Sequence, residues 1–129
     1  RRPPTAHKTF WSHMDFRYFT VEEFACSETG ENDIRWDFVS ALDDLRGVCG
    51  FPFSITSGFR SHRHSIEAAK EKPGQHTLGN AADIAVSNGA ERYAIVSNAI
   101  KLGFKGIGIA RTFIHVDTRE SEGVIWTYS

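Results

Sequence analysis

His76-Thr77-Leu78-Gly79-Asn80-Ala81-Ala82-Asp83, followed later by Phe113-Ile114-His115-Val116-Asp117, is the stretch around which the rest of the chain arranges itself. Two imidazoles and one carboxylate form a three-ligand set for Zn²⁺ with a fourth position open to water. An ion so held lowers the pKa of its water from about 15.7 to roughly 7 and polarises a carbonyl, which is what amide hydrolysis requires. The residues between the ligands read as strands. Alternation puts Ala81, Asp83 and Ala85 on one face and Ala82, Ile84 and Val86 on the other. Phe113, His115 and Asp117 likewise share a face, opposite Ile114 and Val116. Gly79 permits a sharp backbone turn between His76 and the first strand. By spacing alone, a His in a β-rich segment is more often a packed or surface side chain than a ligand, and the chain has six His.

Upstream, Thr20 with Glu23 forms a capping pair for a short turn over 19–24. Ile34, Phe38, Ala41, Leu42, Leu45 and Val48 recur at helical spacing, which predicts a helix from Asp33 to Val48, with Gly47 and Gly50 as stop signals. Phe51 to Ser57 is β-rich and reads as a strand ending at Gly58. Residues 61–75 are polar and read as a surface loop with one helical turn at 66–70. Downstream, Asn88 with Glu91 caps a second helix to about Leu102, closed by Gly103. Three short β segments follow, at 106–110, 112–118 and 124–128. No repeat or linker interrupts the pattern. The expectation is a single α+β domain, its antiparallel sheet carrying the zinc site and packing against a few helices.

With 129 residues, 40% of them apolar, the chain has material for one real core. No apolar run approaches the roughly 18 residues of a membrane span, and no membrane insertion is expected. Arg1, Arg2 and Lys8 lie in the first thirteen residues, which hold no acid, so the remainder is more acidic than the net −1 implies. That balance argues against nucleic acid as a partner, since such proteins show a basic patch or stripe. Residues 1–13 read as a vector-derived leader, with a native basic arm as the alternative. Residues 14–129 read as the domain, and no secretory apolar segment precedes it. Cys26 and Cys49 are too few for a four-thiolate site and read as free thiols, a single disulfide remaining open.

Ser57-Gly58-Phe59-Arg60, His76-x-x-Gly79-x-Ala81-x-Asp83 and Phe113-Ile114-His115-Val116-Asp117-Thr118-Arg119, in that order, resemble the zinc D-alanyl-D-alanine carboxypeptidase family. The family includes the L-alanyl-D-glutamate endopeptidases of phage lysins and shares its fold with the Hedgehog signalling domain. The resemblance covers roughly residues 18–128 and is closest to compact, single-domain endolysins. It implies His76, Asp83 and His115 as ligands of one Zn²⁺ per chain. It places Arg60 beside the metal, to hold a substrate carboxylate or a developing oxyanion; without the motif, Arg60 is an ordinary surface ion pair. Two positions depart from the pattern. Gly74 stands where many relatives carry Ser, and Thr112 where many carry an acid as general base. Asp117 is then the candidate base, or else the partner that orients His115, and His62 and His64 compete for the proton-handling role.

The implied activity is hydrolysis of a stem-peptide bond in bacterial peptidoglycan, with L-Ala–D-Glu the favoured bond. The alternatives are a D-Ala-D-Ala carboxypeptidase, a cross-link endopeptidase, or a non-catalytic, zinc-stabilised binding module. His62, Arg63, His64, Lys70 and Lys72 make the 61–75 loop either a cationic part of the substrate cleft or a solvated surface. An endolysin-like role further implies a monomer made in a host cytoplasm without a signal peptide and acting on the wall after release.

Overall fold

The computed structural model describes residues 16–128. The leader expected at 1–13 lies outside that range. Among the described residues the first element is a 3-10 turn, Val21–Phe24, in which the Glu23 carboxylate accepts from the Thr20 N–H at 2.6 Å. Helix α1 is Trp36–Cys49. It starts later than its apolar periodicity suggests because Arg35 stays extended and its N–H donates to the Gly79 carbonyl at 2.8 Å. Of the residues that carried the periodicity, Ile34, Phe38, Leu42 and Leu45 are buried, Ala41 is half-buried, and Val48, in the last turn, is exposed.

Strand β1 is only Ile55–Ser57. The β-rich signal upstream of it has another cause, since Phe53 is buried and packs against both Phe19 and Phe51. Pro52 has no N–H to offer a ladder. The 61–75 stretch contains α2, Ser65–Ala68, capped by the His64 ring, which accepts from the Ile66 N–H at 3.1 Å. It runs into a second turn, α3, Gln75–Leu78, which no apolar periodicity announces. Then come β2 (Ala81–Ala85), α4 (Gly89–Lys101), β3 (Gly106–Ile109), β4 (Phe113–Asp117) and β5 (Val124–Thr127). The cap on α4 is as expected: Asn88 Oδ1 accepts from the Glu91 N–H at 2.8 Å.

The strands form one sheet in the order β1-β2-β4-β3-β5. The first four are mutually antiparallel, and β5 joins the edge parallel to β3. The sheet is therefore mixed within an α+β domain. Ala82, Ile84, Ile107, Ile114 and Val116 form one buried cluster with Phe38, Val39 and Leu42 of α1 and Ile95 and Ala99 of α4. Burial of this kind is the main stabilising term, at about 25 cal/mol per Å² of apolar surface. The helices thus cover one face of the sheet. The other face carries Asp83, His115 and Asp117, as strand alternation requires. Cys26 and Cys49 are both free.

Candidate metal centre

Asp83 and His115 are register partners on β2 and β4, so pairing of the two strands is enough to bring them together. His76 arrives from α3. That turn ends at Gly79, whose φ of +82° disfavours a side chain, and whose missing Cβ lets the Asp33 carbonyl approach. Nε2 of His76, Nδ1 of His115 and Oδ1 of Asp83 converge at separations of 3.1 to 3.3 Å. All three residues are buried.

The second nitrogen of each ring settles what the first can do. The Gly58 carbonyl lies 2.8 Å from His76 Nδ1, which must therefore donate to it, leaving Nε2 as a lone pair. Asp117 Oδ2 lies 2.7 Å from His115 Nε2 and accepts a hydrogen bond from it in the same way, so that Nδ1 faces the other two side chains. In their neutral forms the rings aim two lone pairs and a carboxylate oxygen at one point, an arrangement that suits a cation. Bonds of about 2.0–2.1 Å at tetrahedral angles would put ligand atoms roughly 3.3 Å apart, and the observed spacings fit Zn²⁺. These three side chains are also the group able to hold a metal among the described residues.

The flanking motifs support this centre. Gly58 packs against the 3-10 turn, where a Cβ would lie 2.7 Å from the Phe24 backbone, and this approach fixes the carbonyl that holds His76. Two residues on, the Arg60 guanidinium lies 3.8 Å from Asp83 Oδ2 and donates through Nε to Ser57 Oγ at 3.1 Å. Burial pushes the Asp83 carboxyl up, but the His115 and His76 rings beside it prevail and hold it at about 2. His115 is raised from its ordinary value, because Asp117 and Asp83 outweigh the opposing effect of burial.

Asp117 is fully buried, and both its oxygens are engaged. Arg119 grips it through Nε at 2.9 Å and Nη2 at 2.8 Å, and the Arg119 N–H adds a third bond at 3.1 Å. Burial would raise its carboxyl, but Arg119 and His115 hold it well below the usual carboxylate range. Of the two roles open to it in the sequence, the geometry provides for orienting His115. A carboxylate without a free lone pair facing the cleft has no room for a water proton.

A cleft of about 500 Å³ opens over the three ligands, lined further by Arg60, Lys70, Phe113, Arg119, Trp126 and Tyr128. Neither His62 nor His64 lines it. His64 is spent on capping α2 and faces Glu28 at 3.2 Å, while His62 borders a separate depression with Glu67, Glu71 and Pro73. Of the basic loop residues, Lys70 reaches the cleft, whereas Arg63 pairs with Glu31 at 3.0 Å. Thr112 is exposed, and among the described residues Asp83 is the only carboxylate lining the cleft. Sequence reasoning missed the aromatic wall. Trp126 and Tyr128 reach it because β5 pairs with β3 beside Gly108, where a Cβ would lie 2.8 Å from both rings. Their spacing of two was the available signal, since it puts them on one face of a strand.

Compared with known proteins, residues 17–117 match the family model described as Peptidase M15. No curated protein matches the chain.

Proposed function

The chain belongs to the peptidase M15 family, and on that premise we propose that it is a zinc-dependent peptidoglycan peptidase cleaving the L-Ala–D-Glu bond of the stem peptide. The observation that carries the reading is the convergence of two imidazole lone pairs and a carboxylate oxygen beside a guanidinium in an open cleft. His76, Asp83 and His115 would hold the ion. When bound, zinc supplies an acidified water and a Lewis-acid pole for the scissile carbonyl.

The remaining roles belong to side chains. Arg60 lines the cleft beside the three side chains, placed to bind a substrate carboxylate or the charge that develops on the carbonyl oxygen. Asp117 accepts from His115 Nε2 and the Gly58 carbonyl from His76 Nδ1, so both rings are held correctly turned, with the other nitrogen of each facing the site. Trp126 stacks near His115, with ring centroids 5.1 Å apart, and with Tyr128 forms the apolar wall that orients the stem peptide and limits water. The stem's free carboxylates suit the cationic side of the cleft, formed by Arg60 and Lys70. We further read the chain as an endolysin-like lysin, made in a host cytoplasm and acting as a monomer on the wall after release.

One second reading is favoured by a specific observation. With no cleft carboxylate besides Asp83 among the described residues, a zinc-held binding module would look similar. Mass spectrometry of fragments released from purified peptidoglycan by zinc-loaded protein, with His76→Ala as control, separates the readings. New L-Ala and D-Glu termini support the proposal. Loss of terminal D-Ala alone makes the protein a carboxypeptidase. No zinc-dependent product, from protein that retains its metal, favours the binding module.

A further inference from the structure

Glu67 is an acid in a loop of basic and small residues, yet its side chain is only 1% exposed. An ionised carboxylate is removed from water only where charge and hydrogen bonds replace its hydration. Its two oxygens divide that work. Oε2 faces cations, with Lys70 Nζ at 2.9 Å and Arg60 Nη1 at 3.4 Å. Oε1 faces the turn that carries His76, accepting from Thr77 Oγ1 at 2.9 Å and from the Gly74 N–H at 3.3 Å. Gly74 is the N-cap of α3, and the carboxylate from α2 satisfies its backbone N–H and holds a hydroxyl of the same turn. Burial pushes the Glu67 carboxyl up, but Lys70, Thr77 and Gly74 together bring it to about 2, so it stays charged.

We propose that Glu67 is a positioning residue that couples the substrate-facing guanidinium of Arg60 and the ammonium of Lys70 to the turn carrying His76. The inference rests on the peptidase reading, in which Arg60 meets a carboxylate of the substrate. Arg60 is otherwise held near the ligands by Ser57 and by the more distant Asp83. Neither contact restrains Lys70. Glu67 therefore sets the separation of the two cations, and with it the place where a substrate carboxylate can sit. Because one anion stands between two cations, a positive charge is left over for the cleft. The same carboxylate holds both ends of the 60–77 segment, so the cationic wall and the first metal ligand move as a unit.

The test uses Glu67→Gln, which keeps shape and removes charge, and Glu67→Asp, which keeps charge on a shorter arm. Binding of a stem-peptide fragment with a free carboxylate is read by calorimetry in zinc-loaded protein, alongside the same fragment amidated. The expected result for Glu67→Gln is about a tenfold or greater loss for the free carboxylate, with the amide changed by less than about twofold. Bound zinc remains at the wild-type ratio, and KM for the free-carboxylate substrate rises more than kcat falls. Glu67→Asp should recover part of the carboxylate preference, and it carries the test if the Gln protein does not fold. Unchanged carboxylate affinity in either foldable variant would overturn the proposal. So would equal losses for acid and amide, which mark a general structural role. If wild-type protein releases no peptidoglycan fragment while Glu67→Gln still loses carboxylate selectivity, the peptidase reading falls and the positioning role stands.

Discussion

Asp83 and His115 sit directly opposite each other on neighbouring antiparallel strands, and their facing atoms are 3.1 Å apart. Two of the three candidate ligands are therefore fixed by sheet register itself. A slip of one residue in either strand would send its side chain to the apolar face and part the pair. The third ligand, on a four-residue turn, depends on contacts made from outside its own element.

This division predicts unequal ligand variants. Asp83→Ala and His115→Ala should lose stoichiometric zinc and, by leaving buried partners unsatisfied, also lower the melting temperature of the metal-free protein. His76→Ala should lose zinc with a smaller effect on the metal-free melt. Metal analysis after dialysis and calorimetry of the stripped proteins check both parts. Retained zinc in any of the three would refute the ligand assignment.

Asp117→Asn distinguishes orientation from base catalysis. If Asp117 acts by turning His115, zinc affinity falls by roughly 10- to 100-fold and activity returns in excess zinc. A base would leave affinity intact and lower kcat at any zinc concentration. Competition with a chromophoric chelator, paired with turnover at saturating zinc, reads the two quantities separately.

Gly106 lies across the ladder from Asp117, and a Cβ there would overlap the Asp117 carboxylate. Gly106→Ala therefore has to displace a fully buried, doubly gripped side chain. The expected outcome resembles Asp117→Asn in zinc affinity, with a further loss of stability of about 1–3 kcal/mol from overpacking. Denaturant melts and zinc titration of the same preparation test it. Wild-type zinc affinity would show that the carboxylate can move without cost to His115.

Glu67 also predicts an acid limb of stability. Its carboxyl is depressed on folding, from 4.5 to about 2. Its contribution is fully present above the unfolded value and is lost as pH falls through the folded one. The metal-free protein should lose stability between pH 4.5 and about 2, and Glu67→Gln should flatten that part of the curve relative to wild type. Thermal melts of both proteins across this interval provide the comparison. Parallel curves would show that other acids, Asp117 foremost, account for the acid limb.

The sequence is most legible where one local rule governs. Apolar recurrence located α1, and the Asn88–Glu91 pair with Gly103 located α4, because helical burial and capping are written in neighbouring residues. The Asp83 and His115 faces followed from alternation alone. What was hidden depends on partners far along the chain. The parallel edge strand β5 carries no parity signal for its direction, so Trp126 and Tyr128 join the cleft only once β3 accepts it. Phe51 and Phe53 read as strand because their type suits either a sheet or an aromatic cluster. Glu67 was obscured by its setting among charged loop residues, since its partners lie up to ten positions away.

The ligand nitrogens of His76 and His115 belong to residues 39 positions apart and come from a loop turn and a central strand. An ion bound to both closes that length of chain as a cross-link would, removing freedom from the unfolded ensemble that the free Cys26 and Cys49 do not remove. A bound metal would consequently be a staple as well as a reagent. Chelation should then open the 58–79 segment to proteases, and the lifetime of the protein would follow the zinc supply.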